Sequence, residues 1–138
     1  MASLIYNSCL EDAAKGAIDF DSDTFKTLLV TSSYTPNKDT HDRADDITNE
    51  VANGNGYTTG GATTACTVAK DTANDRITLT FAAASWPTST ITARAAVIYK
   101  STGTASADPL VAYVDFGGDV SSTGATFSVS ASVITLQN

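Results

Sequence analysis

His41, the aspartate groups at 19–23 and 39–46, Cys9 and Cys66 are the side chains of this 138-residue chain whose spacing invites a chemical reading. His41 stands between Asp39 and Asp42, and serines are plentiful, so the members of a Ser-His-Asp hydrolase are present. There is no GxSxG elbow to present a nucleophile, and sequence neighbours rarely supply a triad's geometry. Asp19-x-Asp21-x-Asp23 opens like a calcium loop, but the sixth and twelfth positions, which need glycine and glutamate, hold Thr24 and Val30. Asp39, Asp42, Asp45 and Asp46 lack metal-comb spacing and read as a charged loop that favours a basic partner. Gly54, Gly56, Gly60 and Gly61 match neither a Walker nor a dinucleotide pattern, and no strand-to-helix phosphate cradle follows them. Cys9 and Cys66 form no CxxC pair and are expected as reduced, partly buried thiols. Trp86-Pro87 reads as an indole packed at a sheet edge, with stacking on a sugar as the sharper alternative. These readings predict a protein that is not an enzyme and has no catalytic, cofactor-binding or metal-binding residues.

Charge narrows the partners. Asp and Glu outnumber Lys and Arg by 15 to 8, giving a net charge of −7 with no basic stripe to offset it. Phosphate backbones and anionic membrane surfaces would be repelled, so neither nucleic acid nor membrane is an expected partner. The first ten residues, MASLIYNSCL, lack the basic and long apolar parts of a secretory leader, which leads us to expect a product of the cytoplasm. No window nears the roughly 18 apolar residues of a membrane span.

The elements that must position these side chains are strands. Thr and Ser number 22 and 14, whereas Glu occurs only at positions 11 and 50. Threonine, branched at Cβ, suits a pleated strand, and good helix formers are scarce. Ile77, Leu79 and Phe81 alternate with Arg76, Thr78 and Thr80, the period of a strand with one buried face. Leu110, Ala112, Val114 and Phe116 repeat the pattern, as do Phe127, Val129 and Ala131, and Ile134 with Leu136. Phe25 to Val30 and Ala93 to Tyr99 are apolar in both registers, so both faces must be covered, the outer one by a loop or a neighbouring subunit. Turns are expected at Lys70 to Asp75, Ser101 to Pro109 and Gly117-Gly118-Asp119. The fold class expected is all-β: a sandwich of about seven or eight antiparallel strands, jelly-roll or immunoglobulin-like, with one or two short helical turns.

One segment breaks this rhythm. Residues 32 to 61 form a long acidic, glycine-bearing stretch with Tyr34, Ile47, Val51 and Tyr57 as apolar anchors. Long irregular segments of this kind are usually functional or disordered, and this one is read as a surface that grips another protein. Within it, Asp45 to Val51 is predicted to make two helical turns, with Ile47 and Val51 on one face. A second short helix is expected at Cys9 to Gly16, so that residues 1–16 form an arm and 17–138 a single sandwich domain.

The chain resembles the capsid cement (decoration) proteins of tailed phages. The residues that carry the likeness are Phe25-Lys26-Thr27-Leu28-Leu29, Tyr34-Thr35-Pro36, Asp39-Thr40-His41, Ile47-Thr48-Asn49-Glu50-Val51, Gly56-Tyr57-Thr58-Thr59-Gly60-Gly61, Trp86 and Ala93-Arg94-Ala95-Ala96-Val97-Ile98-Tyr99-Lys100, from about position 25 to 100. The resemblance implies a jelly-roll β-sandwich, a virion protein on the outer surface of the capsid. It would act as a homodimer that clamps neighbouring major capsid subunits of the HK97-like type. On that expectation Leu4, Ile5, Tyr6, Tyr34, Tyr57 and Trp86 are the partner-contact residues. The competing expectation is a tail-fibre or receptor-binding module for host glycans, supported by Trp86 and the Thr-rich loops.

Overall fold

The computed structural model describes residues 2–138, and its ten strands pair antiparallel throughout. In chain order they are β1 (Leu4–Ile5), β2 (Phe25–Val30), β3 (Ala62–Thr64), β4 (Cys66–Asp71), β5 (Arg76–Phe81), β6 (Ala84–Ser89), β7 (Thr92–Lys100), β8 (Leu110–Ser121), β9 (Ala125–Val129) and β10 (Ser132–Gln137). The fold is an all-β sandwich. A five-stranded sheet runs in the order β1-β8-β7-β2-β3, and a three-stranded sheet (β10-β5-β4) and a two-stranded sheet (β6-β9) pack against one of its faces.

The two small sheets are one bent ribbon. Phe81 of β5 lies opposite Ser132 of β10, and three residues on, Ala84 of β6 lies opposite Val129 of β9. The ribbon breaks only at 82–83 and 130–131, where it must follow the twist of the larger sheet. Backbone groups freed at the bend find partners in the chain as it crosses between layers: Ala82 N–H donates to Ala65 O at 2.8 Å, and Thr64 Oγ1 donates to Ala82 O at 2.6 Å. The layers meet in two clusters, one around Phe25, Ile98, Leu79 and Phe81, the other around Leu29, Ala96, Trp86 and Phe127.

The opposite face of the five-stranded sheet is covered as well. Leu28, Val30, Ala95, Val97 and Tyr113 point there and are buried under Tyr6 and Tyr34. This is why β2 and β7 are apolar in both registers, and the cover comes from this chain's own long segment. That segment passes around the edge of β2. Ile47 packs on the outer face and Val51 on the inner one, while between them Thr31 N–H donates to Asn49 O and Val51 N–H to Leu29 O, both at 2.9 Å.

The helix predicted over Asp45 to Val51 is therefore absent. A single 3-10 turn, Ala44–Asp46, is followed by extended Ile47 and left-handed Asn49 (φ 58°). Backbone pairing with the β2 edge competes with the helical bonds and wins, because two isolated turns have little stability of their own. The other short helix does form, as α1 (Asn7–Ala14), and ends at Gly16 with φ +79°. The arm is not separate from the domain. Leu4 and Ile5 pair with Tyr113 and Ala112, and the Tyr6 side chain is wholly buried; Met1 lies outside the described residues.

Gly61 marks where the wrapped segment returns to the sheet. A Cβ there would sit 1.9 Å from Thr27 O, at φ +80°. Gly103, at φ +94°, has open space instead. Gly103→Ala is expected to cost about 1–2 kcal/mol, the left-handed penalty alone, whereas Gly61→Ala should exceed that by at least ~2 kcal/mol or fail to fold. Urea midpoints of the two variants measure the difference, and equal losses would contradict the close approach.

Candidate functional site

Residues 32 to 61 are braced at both ends. At the first end, Tyr6 Oη lies 2.9 Å from Tyr34 Oη, which lies 2.8 Å from His41 Nδ1. Asn37 N–H donates to the same nitrogen at 3.3 Å, which makes Nδ1 the acceptor and Tyr34 the donor to it. Asp12 of α1, nearly buried, takes the Arg43 guanidinium at 2.9 and 3.4 Å, and Asn7 Nδ2 donates to Asp39 Oδ1 at 2.6 Å. Asp46 Oδ2 accepts from the backbone of Asp42 and Arg43 at 2.8 and 3.2 Å, bonds that hold its carboxyl below the usual carboxylate range. His41 is thus a loop fastener bonded to a phenol.

The second end is a knot on the β2 edge. The Tyr57 hydroxyl accepts from Leu29 N–H at 3.0 Å and donates to Glu50 Oε1 at 2.7 Å. Glu50 Oε1 also accepts from Gly60 N–H at 2.6 Å, and Tyr99 Oη donates to Gly60 O at 2.6 Å. The knot closes the β2 edge where pairing passes from β3 to residues 49–51, satisfying a buried N–H that would otherwise have no partner. Burial is the main reason the Tyr57 phenol is pushed far above its ordinary range, and it pushes Tyr99 up to about 12.

Other acids brace turns in the same way. Asp19 Oδ1 accepts from Asp21 N–H at 3.0 Å and Asp23 Oδ2 from Asp19 N–H at 2.7 Å, while Lys100 Nζ sits 3.0 Å from Asp23. Buried Asp108 takes Thr102 N–H and Thr102 Oγ1 at 2.6 and 2.5 Å. Among the described residues no group of three or more His, Cys, Asp or Glu side chains is placed to hold a metal ion. Cys9 and Cys66 are both free; burial pushes the thiol of Cys9 up to about 12 and that of Cys66 up to about 11.

The expected contact residues divide. Tyr6, Tyr34, Tyr57 and Trp86 are all interior, at most 5% exposed. This corrects the expectation that their rings meet a partner: each is needed to close the fold. Trp86 packs on Tyr57 and Phe127 with centroids 5.7 and 6.2 Å away, so no indole face is open to a sugar. Leu4 and Ile5 are half-buried and form one wall of an open apolar groove of about 540 Å³. The other wall is β10, through Val133, Ile134 and Thr135. Val114 and Ser132 also line a smaller trough of about 260 Å³ that includes Phe116, Val120 and Phe127. Strand β10 ends its sheet, so its outer edge is unpaired among the described residues, and Val133 is 59% exposed. Exposed apolar positions on an unpaired edge are what sequence reasoning missed. Inward and outward residues alternate equally well in edge and central strands, so only the pairing order separates them.

No protein family, curated protein or solved structure matches the chain. Among the described residues no helix is long and apolar enough to cross a membrane.

Tyr57→Phe removes the acceptor of a buried N–H, and a loss of about 1–3 kcal/mol is expected by urea unfolding. Glu50→Gln keeps a carbonyl acceptor for Tyr57 and Gly60 and should cost less than half as much as Glu50→Ala. At pH 8 the two thiols of the folded protein should react with iodoacetamide at least ~100-fold more slowly than an unperturbed cysteine, Cys9 slowest. Free-thiol rates at Cys66 in the folded protein would contradict its burial.

Proposed function

We propose that this chain is a virion structural protein, a capsid-decorating cement that binds the outside of a tailed-phage head as a homodimer and holds neighbouring major capsid subunits together. One observation carries the reading: the polar groups most suited to chemistry are engaged in bracing the body, while the open features are an uncharged strand edge and an apolar groove. A body of this kind suits adhesion under load. The likeness to cement proteins over positions 25 to 100 points the same way.

The dimer contact fits best at β10. Ser132 to Gln137 carries no charged side chain in a chain of net charge −7, so two copies can pair there edge to edge without opposing like charges. Two bodies joined in this manner give each dimer two attachment points. After one docks, the second binds at a high effective concentration, so modest contacts with the shell add up to firm attachment.

Mixed with expanded empty heads of the phage that encodes it, the purified chain should bind stoichiometrically and raise the temperature at which the heads rupture. Absence from mature particles, with no binding at micromolar concentration, would overturn the reading. By sedimentation the free protein should weigh twice 14.2 kDa, and Val133→Lys with Thr135→Lys should return it to a monomer with an unchanged melting profile. Deleting residues 1–10 is not a clean test of attachment, because it also takes Tyr6 and Cys9 out of the core. Substituting half-buried Leu4 and Ile5 is the cleaner probe.

A further inference from the structure

The inner face of the three-stranded sheet runs past the body it packs on. Phe81, Leu79 and Ile134 are buried there, at most 8% exposed. One register row further along, Ile77 of β5 and Leu136 of β10 are paired with each other on the same face, and they are 37% and 40% exposed. Val68 of β4, beside Leu79, is 38% exposed. Three of the six large apolar side chains that the described residues expose therefore stand together on one overhang. It faces the chain after α1 across an open groove of about 480 Å³, whose far wall includes Ile18 and Phe20.

The two charged side chains that line the groove are both acidic. Asp19 and Asp21 line it, and the hydrogen bonds from Ser22 and from Asp21 N–H keep the Asp19 carboxyl below its ordinary range, hence ionised. Of the neighbouring charges, Asp23 is paired with Lys100, Asp71 with Arg76 and Glu11 with Lys15, while Lys70 of β4, beside Ile77 on the same face, does not line the groove. An apolar floor with an acidic lip is complementary to an apolar side chain flanked by lysine or arginine. A second copy of this chain is a poor occupant, since it would bring its own excess of carboxylates to that lip.

We infer that this overhang is the surface that grips the shell, and that its occupant is a protrusion of the coat subunit with an apolar centre and basic flanks. The inference rests on the cement reading above and locates the contact within it, on the inner face of the sheet; the dimer is assigned to the outer edge of β10, the strand that also carries Leu136. Apolar burial in the groove supplies the holding contact, and the carboxylates at the lip set orientation and speed the approach, an effect that salt weakens.

Cosedimentation with expanded empty heads tests it, using the full chain and three variants checked by thermal melting and shown by sedimentation to keep the parent's mass. The first combines Val68→Thr, Ile77→Thr and Leu136→Thr, which keeps strand-forming side chains at exposed positions. The second is Asp21→Lys, and the third, Leu10→Gln on the exposed side of α1, is a control. The expected result is attachment by the parent chain, at least tenfold weaker attachment by the triple variant, several-fold weaker attachment and a reduced salt dependence for Asp21→Lys, and no change in the control. Attachment by the triple variant or by Asp21→Lys at the parent's affinity overturns this contact and leaves the cement reading standing. If the parent chain itself does not attach, the cement reading fails and the contact with it. Should the triple variant melt early, Asp21→Lys alone decides, because Asp21 is exposed.

Discussion

The hydroxyl of Tyr57 is the point on which the rest of this structure turns. It sits beside β2 at the place where that strand runs out of β3 to pair with, and it accepts the N–H of Leu29 while donating to Glu50. Without an acceptor there, the middle of a central strand would carry an unsatisfied donor, at a cost comparable to a lost buried hydrogen bond. With it, the chain can leave the sheet at Val30, cover one face, cross the edge at 49–51 and come back on the other face at Gly61. One phenol thus lets a stretch of some thirty residues act as a structural layer. Glu50 ties the same knot to Gly60, and Tyr99 ties Gly60 to β7.

This construction explains why chemically suggestive side chains stand in unreactive surroundings. Irregular backbone covering a sheet leaves many N–H and C=O groups without ladder partners, and side-chain oxygens must meet them. Asp46 meets two backbone donors, Asp108 a third, and Ser89 and Ser122 bond each other and the backbone around the Trp86 turn. Arg43 answers Asp12 across the gap between α1 and the covering segment. Aspartate and serine recur in the chain for the reasons that favour them in turns, a short side chain and a local acceptor.

The sequence showed the strands more clearly than the segment between them. Alternation at Ile77, Leu79 and Phe81 found β5, and the doubled registers of Phe25–Val30 and Ala93–Tyr99 correctly required cover on both faces. Strands β1, β3, β4 and β6 were not foreseen. β1 and β3 are two or three residues long, and the buried positions of β6 are Ala84, Trp86 and Ser89, too mixed to show a period. The pattern at Ile47 and Val51 misled for a physical reason. Spacing of four is helical only when both residues face one layer, and here a sheet edge passes between them. The aromatic anchors were recognised as anchors, but aromatic content does not say whether a ring holds a partner or its own chain. That depends on long-range partners such as Tyr6 for Tyr34 and Trp86 for Tyr57.

The likeness to cement proteins is carried by the parts of the chain that make the scaffold. Phe25–Leu29 and Ala93–Lys100 are the central strands, Ile47–Val51 is the edge crossing, and Gly56–Gly61 holds both Tyr57 and the glycine pressed against Thr27. The open features lie elsewhere: β4, β5, β10 and the turn at Asp21 fall outside the residues quoted for the likeness. On the cement reading, a scaffold held in common would mean a common way of building a stiff body, with the surfaces that choose a partner free to differ. Stiffness and adhesion would be distinct physical demands on a protein of that kind. The first is met by buried hydrogen bonds that solvent and salt barely reach. The second would be met by apolar strand edges and an acidic lip, whose grip depends on what stands opposite and on the salt between them.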